Sequence, residues 1–421
     1  MEKSGKFRLT SLERNWILYD VGNSAFVLMV ATLIPIFFNA LAEAGGLSSV
    51  EYLAYWGYAS SAVTVITAVL SPILGTVADT KGFKKPIFIL CVFVGIVGCC
   101  AMGAASAWLP FLVIFVIAKV GFSGSLVFYD SMLSDVTTPE RMDEVSSRGY
   151  AWGYIGSCVP FVVCLGLVLG AGSIGISQMT ALNLALLLTA AWWLLTTLPL
   201  LKSYKQLYYV EVEKHAVRQS FARIGHTLRH LPEDKQVFWF LLAFFCYIDG
   251  VYTIIDMATA YGTALGLDTT GLLLALLVTQ IVAFPSALIF GRLSNKYPSA
   301  KLIPVCIAAY AGIAVFAFFL TQQWQFWVLA VIVGMFQGGV QALSRSHFAK
   351  IIPPEKSGEY FGLFDICGKG ASFLGTMIVS VGSQLTGSAN VGVGSLIVLF
   401  VVGFVLFRVS CKAGIITDSV N

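Results

Sequence analysis

Gly75-Thr-Val-Ala-Asp79-Thr-Lys-Gly82-Phe-Lys84-Lys85 ends one apolar run and begins the next, and it decides the fold of this chain. Gly75 permits close approach of two helices, and Gly82 permits a tight turn. Asp79 can accept hydrogen bonds from the N-terminus of a neighbouring helix. We expect Lys84 and Lys85 to anchor the loop at lipid headgroups. The stretch therefore predicts a tight basic turn between two membrane-spanning helices.

The sequence around this loop is that of a polytopic membrane protein. Hydrophobic residues make up 57% of the chain and charged residues only 11%, whereas soluble domains carry about 25% charged residues. The chain divides into twelve apolar stretches, each long enough to cross about 30 Å of hydrocarbon as a helix. The predicted spans are 15–41, 53–79, 86–106, 109–135, 147–171, 178–201, 236–262, 270–295, 301–321, 325–349, 359–385 and 391–411.

The basic residues indicate the orientation of these spans. Of the 26 Lys and Arg, all but Lys119 and Lys369 lie at the chain ends, in every second gap between spans, or near the span ends that border those gaps. Because cytoplasmic loops carry an excess of Lys and Arg, we predict that both termini and the basic gaps are cytoplasmic. Lys119 and Lys369 lie inside apolar stretches, where a charge is costly and usually functional.

The chain is predicted to consist of two halves. Ser203–Lys235 is the longest polar interval, which gives a first half at 1–202, a cytoplasmic linker at 203–235 and a second half at 236–421. Gly75–Asp79 has an echo in Gly291–Asn295, at the end of the corresponding span of the second half. Asn295 replaces the acid there, so a charge-based latch should be weaker. Two parallel six-helix repeats are typical of major facilitator transporters.

The Gly75–Lys85 stretch resembles the signature G-x(3)-D-x(2)-G-[RK]-[RK] of that superfamily. The resemblance implies a gating role at the cytoplasmic side for Gly75, Asp79, Gly82, Lys84 and Lys85. A plain basic turn is the alternative.

The linker contains a predicted amphipathic basic helix. Its apolar residues recur at spacings of three and four, on one helical stripe. They are Val217, Phe221, Ile224, Leu228 and Leu231. Such a helix suits the inner leaflet. His226 and His230 are also four apart, but no third ligand stands beside them, so we predict no metal site.

Ionisable residues inside the spans are the candidates for transport chemistry. Four of them fall in spans that line the central cavity of the major facilitator fold: Asp20, Lys119, Asp249 and Asp256. Buried charges need partners, so we expect Lys119 to pair with an acid of the seventh span. One carboxylate would take up and release a proton while another charge holds the solute. Static ion pairs between helices are the alternative.

Further residues are predicted to contact the solute or the proton: Asn23, Tyr252, Gln337, Gln341, Asp365 and Lys369. Asp365 and Lys369 are four apart, in register for an intrahelical ion pair, and an ion pair that only satisfies its own charges is the alternative. Asp130 and Arg345 lie at matching inner ends of the fourth and tenth spans. We predict that they pair and form a cytoplasmic gate between the halves.

Other classes of function find no support in the sequence. It contains no nucleophile elbow, metal triad or phosphate loop, so we predict neither an enzyme nor a cofactor. The nine cysteines include no CxxC pair and are predicted to be small core residues. No basic patch is interleaved with exposed aromatics, so we expect no nucleic-acid partner.

Three segments resemble the vacuole-effluxer-like branch of the major facilitator superfamily. Asn15–Phe26 resembles its W-x-L-Y-D-x-x-N-S-x-[YF] opening, Phe128–Asp135 its F-Y-[ND]-[AS]-x-L-x-D motif, and Gly338–Lys356 its Q-x-x-S-R-S motif. The resemblance marks as priority sites Asp20, Asn23, Gln341, Ser344 and Arg345. Eukaryotic members are linked to the release of amino acids from the vacuole. This short chain with compact loops resembles a bacterial member, which implies the inner (plasma) membrane.

The sequence therefore predicts an all-α membrane protein with a twelve-helix major facilitator fold. We expect a monomeric secondary transporter that moves a small polar or zwitterionic solute, such as an amino acid or short peptide, with coupling to protons. Two alternatives remain. One is a transporter of amphipathic or lipid-like solutes, and the other is a receptor or scaffold that transports nothing.

Overall fold

The computed structural model describes residues 7–211, 225–227 and 229–418. Within helices, the side chains at 49–50, 52–53, 259–260, 263–264, 269–270, 273, 369–373 and 415–418 lie outside the description. The predicted site residue Lys369 is one of these. Four apolar positions of the predicted linker helix, Val217, Phe221, Ile224 and Leu228, also lie outside the described residues, so that helix stays a prediction.

The described residues form long α-helices that we label α1 to α12. They are α1 Ser11–Ala44, α2 Ser49–Ala78, α3 Lys84–Gly103, α4 Trp108–Ser131, α5 Met142–Leu169, α6 Gln178–Ser203, α7 Lys235–Ala264, α8 Thr269–Leu293, α9 Ser299–Phe318, α10 Gln323–Ile351, α11 Ser357–Thr386 and α12 Ile397–Asp418. Short helices occupy Leu133–Val136, Pro354–Lys356 and Ala389–Gly394. Helix α1 is interrupted at Thr32, between Ser11–Ala31 and Leu33–Ala44.

The helix boundaries follow local chemistry. A capping box fixes the start of α1, where Glu13 N donates to Thr10 Oγ1 (3.1 Å) and Thr10 N donates to the Glu13 carboxylate (2.7 Å). Such reciprocal bonds satisfy two amides that the helix leaves unpaired. Helix α5 begins at Met142, before the predicted span 147–171, because its first turn is polar and extends beyond the apolar stretch. The predicted span 391–411 is divided between Ala389–Gly394 and α12.

Within the described part of the chain, eleven helices are long and apolar enough to cross a membrane. The long helix outside that set is α11, which includes the undescribed side chains at 369–373. The structure is thus an all-helical membrane bundle, as predicted.

The helices pack as two groups of six. Helices α1 to α6 contact mainly one another, and so do α7 to α12. The groups meet along α2 with α11 and along α5 with α8, and α10 packs on α5. We call the end of the bundle that carries the α2–α3, α4–α5, α6–α7, α8–α9 and α10–α11 connections the basic face. These connections hold the basic gaps of the sequence.

Candidate functional site

Arg345 lies at the centre of the contacts between the two groups of helices. It comes from α10, is 2% exposed, and reaches into the first six helices. Its Nη1 donates to Asp130 Oδ1 on α4 at 2.9 Å. Its Nε and Nη2 donate to the Oγ and backbone O of Ser146 on α5, at 2.9 and 3.0 Å. The structure thus brings together Arg345 and Asp130, the residues predicted to form a gate, and adds Ser146.

Aromatic rings surround this guanidinium. Its Cζ lies 4.7 Å from the ring centroid of Trp16 and 4.4 Å from that of Tyr150. Trp16 stacks on Tyr129 at 4.3 Å and donates its Nε1–H to the Tyr129 backbone O at 2.9 Å. Cation–π contacts of a desolvated Arg stabilise by about 2 kcal/mol. The rings and the carboxylate together compensate for the burial of this charge.

Helix α10 adds polar contacts with α5 on both sides of Arg345. Towards the basic face, Asp143 accepts from Ser346 Oγ (2.6 Å) and pairs with Lys350 Nζ (2.6 Å). Deeper in the bundle, Tyr154 Oη donates to Gln341 Oε1 at 2.6 Å. The two groups are therefore joined by a ladder of polar contacts along α5 and α10.

The Gly75–Lys85 loop forms a second contact between the two groups of helices. Asp79 is fully buried, and its carboxylate accepts from the backbone amides of Gly358 (2.7 Å) and Glu359 (2.8 Å) at the start of α11. A carboxylate at a helix N-terminus satisfies unpaired amides and interacts favourably with the helix dipole. A Cβ on Gly75 would lie 2.1 Å from the Gly358 backbone O, so only glycine allows this approach.

Lys84 takes part in the same contact, which corrects the expectation that it lies at lipid headgroups. Its side chain is fully buried and donates to Ser357 Oγ at 2.8 Å and to Asp135 Oδ2 at 3.5 Å, with Asp79 Oδ1 at 3.8 Å. The carboxylates of Asp79 and Asp135 attract the ammonium and compensate for the cost of its burial. Lys85 remains half-buried, and Gly82 has a φ of 80°, which favours glycine. We call Asp79, Lys84, Asp135 and the Ser357–Glu359 turn the latch.

The second-half copy of the loop makes a simpler contact. Asn295 is exposed, and its Nδ2 donates to Glu144 Oε2 on α5 at 2.8 Å. A Cβ on Gly291 would meet the Ser147 Cβ at 2.9 Å. Gly291 therefore plays the part of Gly75 with a looser fit.

Asp20 lies in the interior, further from the basic face than the Arg345 contacts. It is 7% exposed, and a Cβ on Gly153 of α5 would lie 3.5 Å from its carboxyl carbon. Asn23 Nδ2 donates to Asp20 Oδ1 at 3.5 Å, while Asp20 Oδ2 is buried and has no hydrogen-bond partner among the described residues. Two further buried atoms without a described partner are Tyr129 Oη and Gln337 Oε1.

The structure corrects the expected position of Asp249. This side chain is fully buried, and both of its oxygens accept from the Gly375 backbone amide of α11 at 2.9 Å. Thr253 Oγ1 adds a bond at 3.3 Å. Asp249 therefore joins α7 to α11 inside the second group instead of facing Lys119. A small residue at 375 lets the amide approach the carboxylate, which the sequence pattern did not reveal.

The other predicted cavity residues are more open. Asp256 is exposed, Tyr252 is half-buried, and the half-buried Lys119 lies 4.7 Å from the Phe122 ring centroid. Asp365 accepts from Ser71 Oγ of α2 at 2.7 Å, so this acid too takes part in a contact between the groups. Its predicted pairing with Lys369 lies outside the described side chains.

The sequence pattern did not single out several of the residues that make these contacts. Asp135 stands in the quoted Phe128–Asp135 motif, so that motif could have pointed to it. Ser146, Asp143 and Ser357 carry no signal of their own, because a serine or acid near a predicted loop is ordinary. Within the described residues, no group of three His, Cys, Asp or Glu side chains could hold a metal ion.

The family is decided by the match of residues 11–415 to the family model described as Vacuole effluxer Atg22 like. The chain belongs to this family. A Bacillus subtilis (strain 168) protein, described as an uncharacterized MFS-type transporter YxiO, is 42% identical over 404 residues, which cover 95% of this chain and 94% of that protein. Autophagy-related protein 22 of Coccidioides immitis is 25% identical over 63% of this chain, which spans about half (51%) of the length of that fungal relative.

Solved structures confirm the fold. The human organic anion transporter MFSD10 superposes with a TM-score of 0.71 at 14% identity, covering 94% of this chain and 99% of that one. The transporter FucP in its outward conformation gives 0.70 at 16% identity, covering 95% and 97%. A bacterial ferroportin homologue in its outward-facing state gives 0.69 at 15% identity, covering 96% and 98%. This Atg22-like protein is thus a secondary transporter of the major facilitator superfamily, not an enzyme. It is a multi-pass protein of the bacterial plasma membrane.

Proposed function

We propose that this protein moves a small polar or zwitterionic solute, an amino acid or short peptide in the first instance, by alternating access coupled to protons. The observation that carries the proposal is a set of buried polar atoms inside the bundle: Gln337 Oε1 has no hydrogen-bond partner among the described residues, and Asp20 Oδ2 and Tyr129 Oη lie near each other without a hydrogen bond of good geometry. A buried polar group without a partner is costly, and such groups are rare unless a ligand or water completes them. They mark a place where a polar solute can bind.

The contacts at the basic face supply the gate that alternating access needs. We propose that residues 1–202 and 236–421 are the two moving halves, joined by the linker 203–235. They would comprise twelve spans with both termini in the cytoplasm. Arg345 with Asp130, and the latch around Asp79, would then close the cytoplasmic side in the state described here.

The acids near Arg345 support proton coupling. Asp130 holds the guanidinium at 2.9 Å, and Asp20 lies about one turn further along α5: a Cβ on Gly149 would lie 3.1 Å from Arg345 Nη2, and one on Gly153 would lie 3.5 Å from the Asp20 carboxyl carbon. A proton on Asp130 would remove the charge that holds the guanidinium, and the nearby buried Asp20 is a second acid that can carry that proton. Exchange of that proton would link the gate to the solute site.

The exposure of Asp256 and the partial exposure of Lys119 support a water-filled space between the halves. A carboxylate and an ammonium suit a zwitterion, because groups of these two signs can bind its two charges. The alternative of a lipid-like solute gains little support. The apolar cavity lined by Ile254, Phe326 and Leu329 measures about 50 Å³, whereas ligand pockets measure about 300–1,000 Å³.

The test is uptake by proteoliposomes that contain a pH-sensitive dye, screened against pools of amino acids, peptides and amphipathic solutes. We expect solute-dependent proton movement that Asp20→Asn abolishes. Glu43→Gln, a matched change at an exposed acid of α1, should leave it intact. Solute movement without proton movement would remove the coupling. Movement of amphipathic solutes alone would favour the lipid-like alternative, and movement of no pool would contradict transport of these classes.

A further inference from the structure

The first residues of the linker form an extended segment, Tyr204–Glu211, that lies across the α2–α3 loop; we call it the strap. Val210 N donates to Asp79 O at 2.8 Å, and Lys81 N donates to Val210 O at 3.3 Å. These bonds form a short parallel bridge between Thr80 and Val210. The strap is thus hydrogen-bonded to the backbone of Asp79, whose carboxylate binds the start of α11.

A side chain of the strap holds the same loop from both ends. Gln206 Nε2 donates to Ala78 O at 3.1 Å, and Gln206 Oε1 accepts from Gly82 N at 3.0 Å. One amide therefore closes the turn between α2 and α3. This bond holds the Gly82 N–H in place, and glycine adopts the positive φ at this position without strain because it has no Cβ.

The strap also supplies most of the hydrogen bonds of Asp135. The amides of Leu207 and Tyr208 donate to its Oδ1, both at 2.9 Å. The Tyr204 hydroxyl donates to its Oδ2 at 2.5 Å. Lys84 Nζ reaches the same Oδ2 at 3.5 Å. The buried carboxylate thus has three donors from the strap and a more distant ammonium from α3.

We propose that the strap belongs to the latch. It positions the Lys84 ammonium by binding the Asp135 carboxylate. With its charge satisfied by the strap, Asp135 leaves the Lys84 ammonium free to bond Ser357 of α11 at 2.8 Å. Without the strap, the buried carboxylate draws Lys84 towards itself and away from α11. The linker therefore controls how firmly the basic face closes. This rests on the proposed closed gate but on no particular solute.

The test is hydrogen exchange by mass spectrometry on the full chain in lipid nanodiscs, followed at the start of α11, where Gly358 and Glu359 donate to Asp79. Tyr204→Phe removes one donor to Asp135 and keeps the buried ring. We expect exchange there to rise about tenfold, as the loss of a hydrogen bond to a charged group predicts. Tyr208→Phe is the matched control, because it removes an exposed hydroxyl from the same strap.

The converse experiment uses Asp79→Asn, which should raise exchange at the Leu207 and Tyr208 amides. Unchanged α11 exchange in Tyr204→Phe, or equal rises in both tyrosine variants, would overturn the proposal. If Tyr204→Phe raised exchange throughout the bundle, the variant would be too unstable to use, and Gln206→Leu would replace it. A rise in exchange confined to the start of α11 would then support the proposal, and unchanged exchange there would overturn it. Because exchange requires no solute, a failure of the transport proposal would leave this result interpretable.

Discussion

The α2–α11 and α8–α5 contacts use one backbone design with different chemistry. In each, a helix of one group ends beside the first turn of a helix in the other group, and a glycine lets them touch. At α2–α11, Asp79 is fully buried and accepts from two amides, with Lys84 nearby. At α8–α5, the exposed Asn295 donates to Glu144.

Both contacts therefore require a glycine, Gly75 or Gly291, whereas only the α2–α11 contact uses an acid. A close helix approach is a steric requirement, which Gly75 and Gly291 both meet. A buried carboxylate at a helix N-terminus adds charge-assisted bonds worth about 1.5–3 kcal/mol each. A single bond near solvent adds less. The α2–α11 contact should therefore dominate the closed state.

The largest effect should come from the ion pair between the two contacts. Arg345→Ala leaves the half-buried Asp130 without its guanidinium, and the loss of one partner of a buried pair costs up to about 3–5 kcal/mol. We expect transport in proteoliposomes to be abolished, and Asp130→Ala to act in the same direction. The double reversal Asp130→Arg with Arg345→Asp should restore part of the activity. No recovery in the double variant would count against the gate.

Asp79→Asn should convert the strong contact into a copy of the weak one. Gly358 and Glu359 donate to different oxygens of Asp79, so asparagine can accept from only one of the two amides and turns its Nδ2 donor towards the other, and the charge beside Lys84 is lost. We expect the closed state to lose about 2–3 kcal/mol, measured as faster hydrogen exchange at the start of α11. Asn295→Ala is the matched change at α8–α5. An equal effect of the two variants would contradict the asymmetry.

Gly75→Ala and Gly291→Ala compare the steric parts of the contacts. A Cβ at 75 meets a backbone oxygen at 2.1 Å, whereas a Cβ at 291 meets the Ser147 Cβ at 2.9 Å. Overpacking of this kind costs about 1–3 kcal/mol. Thermal unfolding in detergent should show the larger loss for Gly75→Ala. The reverse order would show that α8–α5 is the tighter contact.

The smallest effect should come from Asn295→Asp. By analogy with Asp79 this change looks stabilising, but the new acid faces the Glu144 carboxylate to which the Asn295 amide now donates. Like charges near solvent destabilise by a few tenths of a kcal/mol. We expect slightly faster exchange at the start of α5. Slower exchange would mean that an acid alone makes a latch.

The sequence predicted the membrane bundle because hydropathy and loop charge act over whole helices. It also predicted the Arg345–Asp130 contact, because the repeat places both residues at matching helix ends. It failed for Lys84 and Asp249, whose surroundings depend on residues far along the chain. Ser357 and Asp135 bury Lys84, and the Gly375 amide takes Asp249. Hydrogen bonds between a side chain and a distant backbone leave no periodic signal.

The most direct test of the central claim measures the distance across the basic face. Spin labels placed at the exposed residues Phe83 and Glu355, through bio-orthogonal amino acids that leave the nine native cysteines alone, report on the α2–α11 side. The account predicts a short distance in the native protein and a population shifted to longer distances in Asp79→Asn, with Asn295→Ala unchanged. A distribution that stays the same in Asp79→Asn would contradict the latch.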